Sequence, residues 1–209
     1  MLKIFLIVLL VLIHFTGYAQ SSSDYLLPFS DKTSGEELYG FKSRKGKVII
    51  KPKYEIVGTA KMYHIALVTY KFKWIAINRK DSVLLSPYIY DNGPDELREG
   101  LFRFEEHGLI GFANNKGQKI IPARFECVSF FVNGLAAFNV GGHAEYRDPE
   151  HPTWEGGLWG FIDKTGVEVI PPQFAGVLYF EQKYAEAWTK DKKHVLIDKK
   201  GKIRKILSQ

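Results

Sequence analysis

The sequence has very little cysteine: Cys127 is the single one among 209 residues. One thiol cannot form an intramolecular disulfide, so the fold has to be held by packing and hydrogen bonds. Cys127 lies between Glu126 and Val128 in an alternating, strand-like run, without a potential catalytic partner beside it. We therefore expect this thiol to fill the core rather than to act as a nucleophile.

Motifs of the common enzyme classes are also missing. The sequence contains no Gly-x-Ser-x-Gly, no His-Glu-x-x-His, no Walker loop and no dinucleotide-binding glycine fingerprint. Acidic residues do cluster, at Asp95, Glu96, Glu99, Glu105 and Glu106, in a pattern more typical of a solvated loop than of catalytic carboxylates. The sequence predicts no catalytic, cofactor-binding or metal-binding residue.

Charge of one sign is not concentrated, and long apolar runs are confined to the start of the chain. The formal net charge of +6 is modest beside the basic patch of a nucleic-acid-binding protein. The apolar run ends near Phe15, which is short for a bilayer span of about 20 residues, and Gly17 and Ala19 place small residues before a cleavage point. We expect a signal peptide at residues 1–19, with a retained membrane anchor as the alternative.

A cleaved leader implies export to the periplasm, the outer cell surface or the medium. It also implies that the mature protein has no nucleic-acid partner and no stable membrane insertion. Protein or polysaccharide partners are the classes that remain.

The sequence does have an internal repeat. Residues 159–166 read Trp-Gly-Phe-Ile-Asp-Lys-Thr-Gly, and residues 169–174 read Val-Ile-Pro-Pro-Gln-Phe. Equivalent positions are Tyr39, Trp74, Ile110, Trp159 and His194, at steps of 35, 36, 49 and 35 residues. A regular period with one longer step predicts a tandem array with one insertion, at residues 139–157.

Each copy reads as a short strand, a tight turn, a second strand and then a third. Glycine at the end of the turn supplies a positive φ angle, and Asp81, which replaces it in one copy, tolerates that conformation better than most residues. Prolines such as Pro171 and Pro172 are expected to end the second strand. Apolar residues show no sustained helical spacing within the repeats.

These patterns predict an all-β fold: a tandem array of about five three-stranded meanders, starting near residues 38, 73, 109, 158 and 193. One meander cannot bury its apolar face alone, so neighbours have to stack. An open, solenoid-like superhelical sheet and a propeller-like closed ring both remain possible. Residues 20–37 are expected to cap the first repeat within a repeat domain that spans 38–209.

The repeated phrase resembles the WG-repeat family, bacterial β-rich repeats named for a Trp-Gly pair. Residues 159–174 match the family phrase closely. The other copies match in part, because Tyr39-Gly40 and Ile110-Gly111 keep the glycine, Trp74-Ile75 keeps the tryptophan, and His194-Val195 keeps neither. The resemblance implies a repeat scaffold without a catalytic motif, and hence a non-enzymatic binding role, with an envelope hydrolase or an accessory domain of an enzyme as the alternative.

The insertion is the most individual segment, since long loops on repeat scaffolds often carry function. It is expected to be either a tolerated mobile loop or a partner-contact loop anchored by Trp154. Possible contact residues beside Trp154 are His143, Tyr146 and His151. The two histidines are eight residues apart, which does not fit the usual zinc-ligand spacing.

Two repeated residue types offer further candidates. Trp74 and Trp159 occupy one repeat position, where core packing is more usual than exposed sugar stacking. The turns also carry lysines that the repeat would place in a row. Such a row could bind a polyanion, although solvation of the turns is the simpler interpretation. These lysines are Lys45, Lys80, Lys116, Lys164, Lys199 and Lys200.

Overall fold

The computed structural model describes residues 24–32, 35–90, 93–146 and 153–208. The expected signal peptide lies outside these ranges and stays a prediction. In the described residues all regular structure is β-strand, and helices are absent, so the predicted all-β class is confirmed.

The strands form five successive meanders, which we call units 1 to 5. Each unit has a first strand, a second strand that carries the Trp-Gly position, and a third strand. Unit 1 comprises β1 (Leu26–Asp31), β2 (Leu38–Ser43) and β3 (Val48–Tyr54). Unit 2 comprises β4 (Ile65–Tyr70), β5 (Lys73–Asn78) and β6 (Val83–Pro87), followed by a small hairpin of β7 (Ile89–Tyr90) and β8 (Gly93–Pro94).

Unit 3 comprises β9 (Leu101–Glu106), β10 (Leu109–Asn114) and β11 (Lys119–Phe125). Units 4 and 5 each begin with an additional short strand. Unit 4 comprises β12 (Cys127–Val128), β13 (Leu135–Glu145), β14 (Thr153–Asp163) and β15 (Glu168–Phe174). Unit 5 comprises β16 (Gly176–Val177), β17 (Tyr184–Trp188), β18 (His194–Asp198) and β19 (Ile203–Ser208).

The core consists of separate apolar layers between consecutive units. In unit 4, Ala136 and Phe138 pack towards unit 3, whereas Leu135 and Ala137 pack towards unit 5. Alternate residues of one strand therefore enter different layers, because successive side chains point to opposite faces. Burial on both faces explains why these strands read as nearly continuous apolar runs rather than as an alternating pattern.

The array is open, which is one of the two predicted arrangements. Within the described residues no strand of unit 5 pairs with a strand of unit 1, and no buried apolar layer joins these two units. At the C-terminal end, β19 is exposed along its whole length and carries Arg204 and Lys205, charges that hinder addition of a further strand. At the N-terminal end, β1 pairs with β2 through all six of its residues.

The hairpin turns have the predicted conformation. Gly46, Gly117, Gly166 and Gly201 all have positive φ angles, and Asp81 has a φ of 65° at the same place. The carboxylate of Asp163 accepts hydrogen bonds from the backbone N–H groups of Thr165 and Val167. Asn78, Asn114 and Asp198 repeat this arrangement.

The prediction that the prolines end the second strand of the hairpin is wrong for three units. Pro171 and Pro172 lie inside β15, where Trp159 pairs with Phe174 and Phe161 pairs with Ile170. Two extra residues on β15 form a bulge there, which accommodates residues that cannot donate to the ladder. Units 1 and 3 have the same register shift.

The glycine of the Trp-Gly pair faces this bulge. A Cβ on Gly160 would lie 2.4 Å from the carbonyl oxygen of Ile170 and 2.8 Å from the nitrogen of Pro172. Gly40 and Gly111 are crowded in the same way. The glycine is therefore a steric requirement of the proline bulge.

Unit 2 has Ile75 in place of this glycine and has a different topology. Ala76 still pairs with Leu85, but beyond that point β6 leaves β5, and its Ser86 and Pro87 pair with β9 of unit 3. Units 2 and 3 consequently share one six-stranded sheet, in the order β11-β10-β9-β6-β5-β4.

Candidate functional site

The insertion is a β-ribbon in its described part, and the prediction of a loop is wrong there. Strands β13 and β14 continue their pairing beyond the body of unit 4, from the pair Gly142 and Gly156 to the pair Glu145 and Thr153. A ribbon holds its side chains in a fixed alternation of faces. The insertion can therefore present a defined surface.

Asn139 and the glycines fix the angle at which the ribbon leaves unit 4. The buried Asn139 side chain donates to the carbonyl of Gly156 and accepts from the N–H of Gly142. Gly157 has a φ of 65°, and a Cβ there would lie 2.2 Å from Oδ1 of Asn139. The indole of Trp154 lies against Gly142, where a Cβ would come within 2.4 Å of Nε1.

The ribbon forms one wall of a cavity of about 350 Å³, which we call the aromatic cleft. Trp154, Tyr146 and Ala144 belong to the ribbon, and Trp159 lies at its base. The facing wall comes from units 2 and 3 and from β12. It comprises Tyr88, Tyr90, Arg103, Glu105, Gly108, Ile110, Glu126, Cys127, Val128 and Ser129.

A buried ion pair supports the facing wall. The guanidinium of Arg103 donates from Nε and Nη2 to the carboxylate of Asp95, at 2.5 and 2.7 Å, and both side chains are buried. Its Nη1 donates to the carbonyl of Val128 at 2.8 Å, and its Cζ atom lies 4.4 Å from the ring centre of Tyr88. All three nitrogen atoms of Arg103 are occupied, so this residue positions Tyr88 and β12.

Glu105 and Glu126 are the remaining charged groups of the cleft, and both are exposed. Since Arg103 is neutralised by Asp95, these two carboxylates give the cleft a negative rim. Burial raises the pKa of the Cys127 thiol to about 11, so the thiol is protonated near neutral pH and is a poor nucleophile.

The structure brings together only some of the predicted contact residues. Trp154 and Tyr146 share the cleft, whereas His143 is not among its lining residues and lies beside Glu145, at 3.9 Å. His151 lies outside the described residues. In the ranges that the structure describes, no cluster of His, Cys, Asp or Glu could hold a metal ion.

The two repeat tryptophans are half-buried rather than enclosed in the core. Trp159 packs against the layer between units 4 and 5 and also lines the cleft. Trp74 lines a separate groove between units 2 and 3. The core interpretation is therefore confirmed in part for Trp159, and sugar stacking stays a prediction.

The predicted row of lysines is interrupted, because two of its members bind neighbouring units. The ammonium of Lys164 donates to the carbonyl of Glu99 at 2.9 Å, and that of Lys199 donates to the carbonyl of Asn133 at 2.6 Å. Arg79 makes the equivalent bond to Asp24 at 3.0 Å. These cations connect the turn of one unit to the start of the preceding unit.

Sequence reasoning missed the facing wall of the cleft. The acidic pattern predicts a solvated Asp95, but its side chain is buried against Arg103. The available signal was Arg103 itself, which stands within the apolar strand Leu101–Glu106 where the matching strand of unit 4 has Ala137. A lone arginine inside a strand buried on both faces requires a paired carboxylate.

Comparison with known proteins agrees with the repeat pattern. A model of the WG containing repeat matches residues 39–59, 110–142 and 159–187. No curated protein matches the chain. In the described part of the chain, no helix is long and apolar enough to cross a membrane. The three matched stretches begin at the Trp-Gly positions that keep the glycine, and the predicted WG repeats are confirmed in these stretches.

Proposed function

We propose that the protein is an exported, non-enzymatic scaffold that binds a glycan in the aromatic cleft. One observation carries this proposal: Tyr88, Tyr90, Tyr146, Trp154 and Trp159 all line one cavity of about 350 Å³. That volume falls in the range of about 300–1,000 Å³ typical of ligand sites, which are lined mainly by apolar and aromatic groups with a few polar ones.

The polarity of the cleft favours a sugar over a purely apolar ligand. Aromatic rings pack against the C–H faces of a pyranose, while phenol hydroxyls and carboxylates pair with its hydroxyl groups. Glu105 and Glu126 make the rim acidic, which favours a neutral sugar over an anionic one. A protein partner that inserts a side chain into the cleft is the second class of ligand.

A hydrolase has one observation in its favour, since Glu105 and Glu126 line the same cleft and paired carboxylates are the groups of a glycosidase. The general acid of such enzymes is sheltered so that it keeps its proton, whereas both carboxylates here are exposed. Binding without cleavage is therefore the function that we propose.

Titration calorimetry of the mature chain with cellobiose and with N,N′-diacetylchitobiose tests the proposal. We expect one of the two disaccharides to bind, and Trp154→Ala to weaken binding by roughly tenfold, the factor that about 1.4 kcal/mol represents. Tyr184→Ala, which changes an exposed ring on unit 5, is the matched control. Absence of binding, or equal binding by the Trp154 variant, would refute the glycan assignment, and release of reducing ends would favour the hydrolase.

A further inference from the structure

The turn between β4 and β5 is strained and fully exposed. Lys71 and Phe72 have φ angles of 51° and 60°, the left-handed pair that a two-residue hairpin requires and that Asn-Gly usually supplies. For a bulky residue such as phenylalanine this conformation is a genuine outlier. The Phe72 side chain is 91% exposed, so packing within the protein does not explain why an aromatic residue stands there.

The matching turn of unit 3 shows the usual solution. His107 and Gly108 occupy it with φ angles of 54° and 75°, so the second position is a glycine. Backbone strain without a folded-state benefit is typical of functional positions. Phe72 is therefore a candidate contact residue.

Phe72 lines a groove of about 840 Å³, which we call the Phe72 groove. Trp74, Val83, Leu84, Pro87 and Ile89 supply further apolar surface, and Lys73, Glu105, Glu106, His107 and Lys119 also line the groove. Lys119 pairs with Glu106 at 2.6 Å. The groove thus shares aromatic rings and carboxylates with the aromatic cleft, and its two lysines balance the two carboxylates, which suits a neutral ligand.

The two sites adjoin each other along one edge of the array. Glu105 lines both of them, and the neighbouring residues Ile89 and Tyr90 line one each. The turn at His107 and Gly108 lies between the sites, since His107 borders the groove and Gly108 borders the cleft. A ligand longer than one sugar unit can therefore contact both sites by passing this turn.

We infer that the ligand is an elongated neutral glycan chain that occupies the aromatic cleft and the Phe72 groove together, an inference that rests on the proposed function. This edge of the array consists of the turns between first and second strands, such as Lys71-Phe72 and His107-Gly108. An extended peptide usually binds by adding a strand to a free sheet edge, and turns offer no such edge. Ring faces spaced along a groove suit a chain of pyranose rings instead.

Affinity as a function of chain length tests the inference. The probes are the cello- and chito-oligosaccharide series, from disaccharide to hexasaccharide, and the readout is the ratio of their Kd values. We expect the hexasaccharide to bind the unaltered protein at least roughly tenfold more tightly than the disaccharide. Phe72→Gly should bring this ratio close to one without changing the disaccharide Kd.

The same variant supplies its own control for folding. Glycine adopts the left-handed conformation freely, so Phe72→Gly should raise the melting temperature while it removes the gain from chain length. Tyr184→Ala should leave the ratio unchanged. A disaccharide that binds in a Trp154-dependent way, with a ratio near one or a ratio unaffected by Phe72→Gly, would overturn the inference and leave the proposed function standing. If no sugar of either series binds, both fail.

Discussion

The junction between units 4 and 5 and the junction between units 2 and 3 are built differently. The first contains ten buried apolar residues, among them Phe161, Phe174 and Phe180, and Lys199 links the two units. The second contains five buried apolar residues, and Asn115 stands where units 4 and 5 carry the linking lysine. A cavity of about 510 Å³ lies at this junction, bordered by Asn115 and Tyr63.

This difference coincides with one position of the repeat, the glycine of the Trp-Gly pair. Where the glycine is present, as at Gly160, the proline bulge folds β15 back along its own unit. Where Ile75 replaces it, β6 crosses to unit 3 and joins the two sheets. In unit 5, where Val195 replaces the glycine, β19 stays paired with β18 of its own unit. Replacement of the glycine therefore accompanies the crossing in unit 2 but does not by itself dictate it.

We call the junction between units 2 and 3 the irregular junction. The Arg103–Asp95 ion pair joins the segment after β8 to β9 there. Disruption of this ion pair should have the largest effect on stability. Asp95→Ala leaves the guanidinium of Arg103 buried without a counter-charge, which we expect to lower the free energy of unfolding by about 3–5 kcal/mol. Urea denaturation measures the change. The double variant Arg103→Met with Asp95→Leu should recover most of the loss, because an apolar pair needs no desolvation. A loss below about 1 kcal/mol for Asp95→Ala would show that water solvates the site.

We call the junction between units 4 and 5 the regular junction. Its stability should depend most on Gly160. In Gly160→Ala the new Cβ meets backbone atoms of Ile170 and Pro172 that cannot move independently, and we expect a loss of roughly 2–4 kcal/mol. Gly176→Ala is the matched control, because its Cβ would meet Trp188 at an ordinary 3.4 Å. Equal melting temperatures for the two variants would contradict the steric role of Gly160.

Much of this architecture could be predicted from the sequence, because the turns that define each repeat depend on neighbouring residues. The turn ending at Gly166 and its variant at Asp81 follow from residues close together in the chain. The crossing of β6 to β9 could not be predicted, since it depends on a pairing partner that the next unit supplies. The sequence predicts Trp154 as a contact residue of the insertion but not the cleft that it lines, because Tyr90 comes from another unit and only the stacking of units 2 to 4 brings the two together.

The smallest effect should come from adding the missing link at the irregular junction. In units 2, 4 and 5 the linking cation donates to the carbonyl two residues before the first strand of the preceding unit, and Tyr63 holds the equivalent position before β4. Arg79 already contacts this carbonyl, at a long 3.5 Å. We expect Asn115→Lys to add a second donor there and to raise the free energy of unfolding by about 0.5 kcal/mol, since exposed polar contacts are worth at most about 1 kcal/mol.

Lys199→Met is the converse change, because it keeps the aliphatic stem and removes the charge, and it should cost a similar amount at the regular junction. Thermal unfolding of both variants measures the two effects under one set of conditions. If Asn115→Lys gives no gain while Lys199→Met does cost stability, the cavity at the irregular junction is held open by the joined sheet rather than by the absence of a link. The cause of the difference between the junctions would then lie in the crossing of β6 to β9.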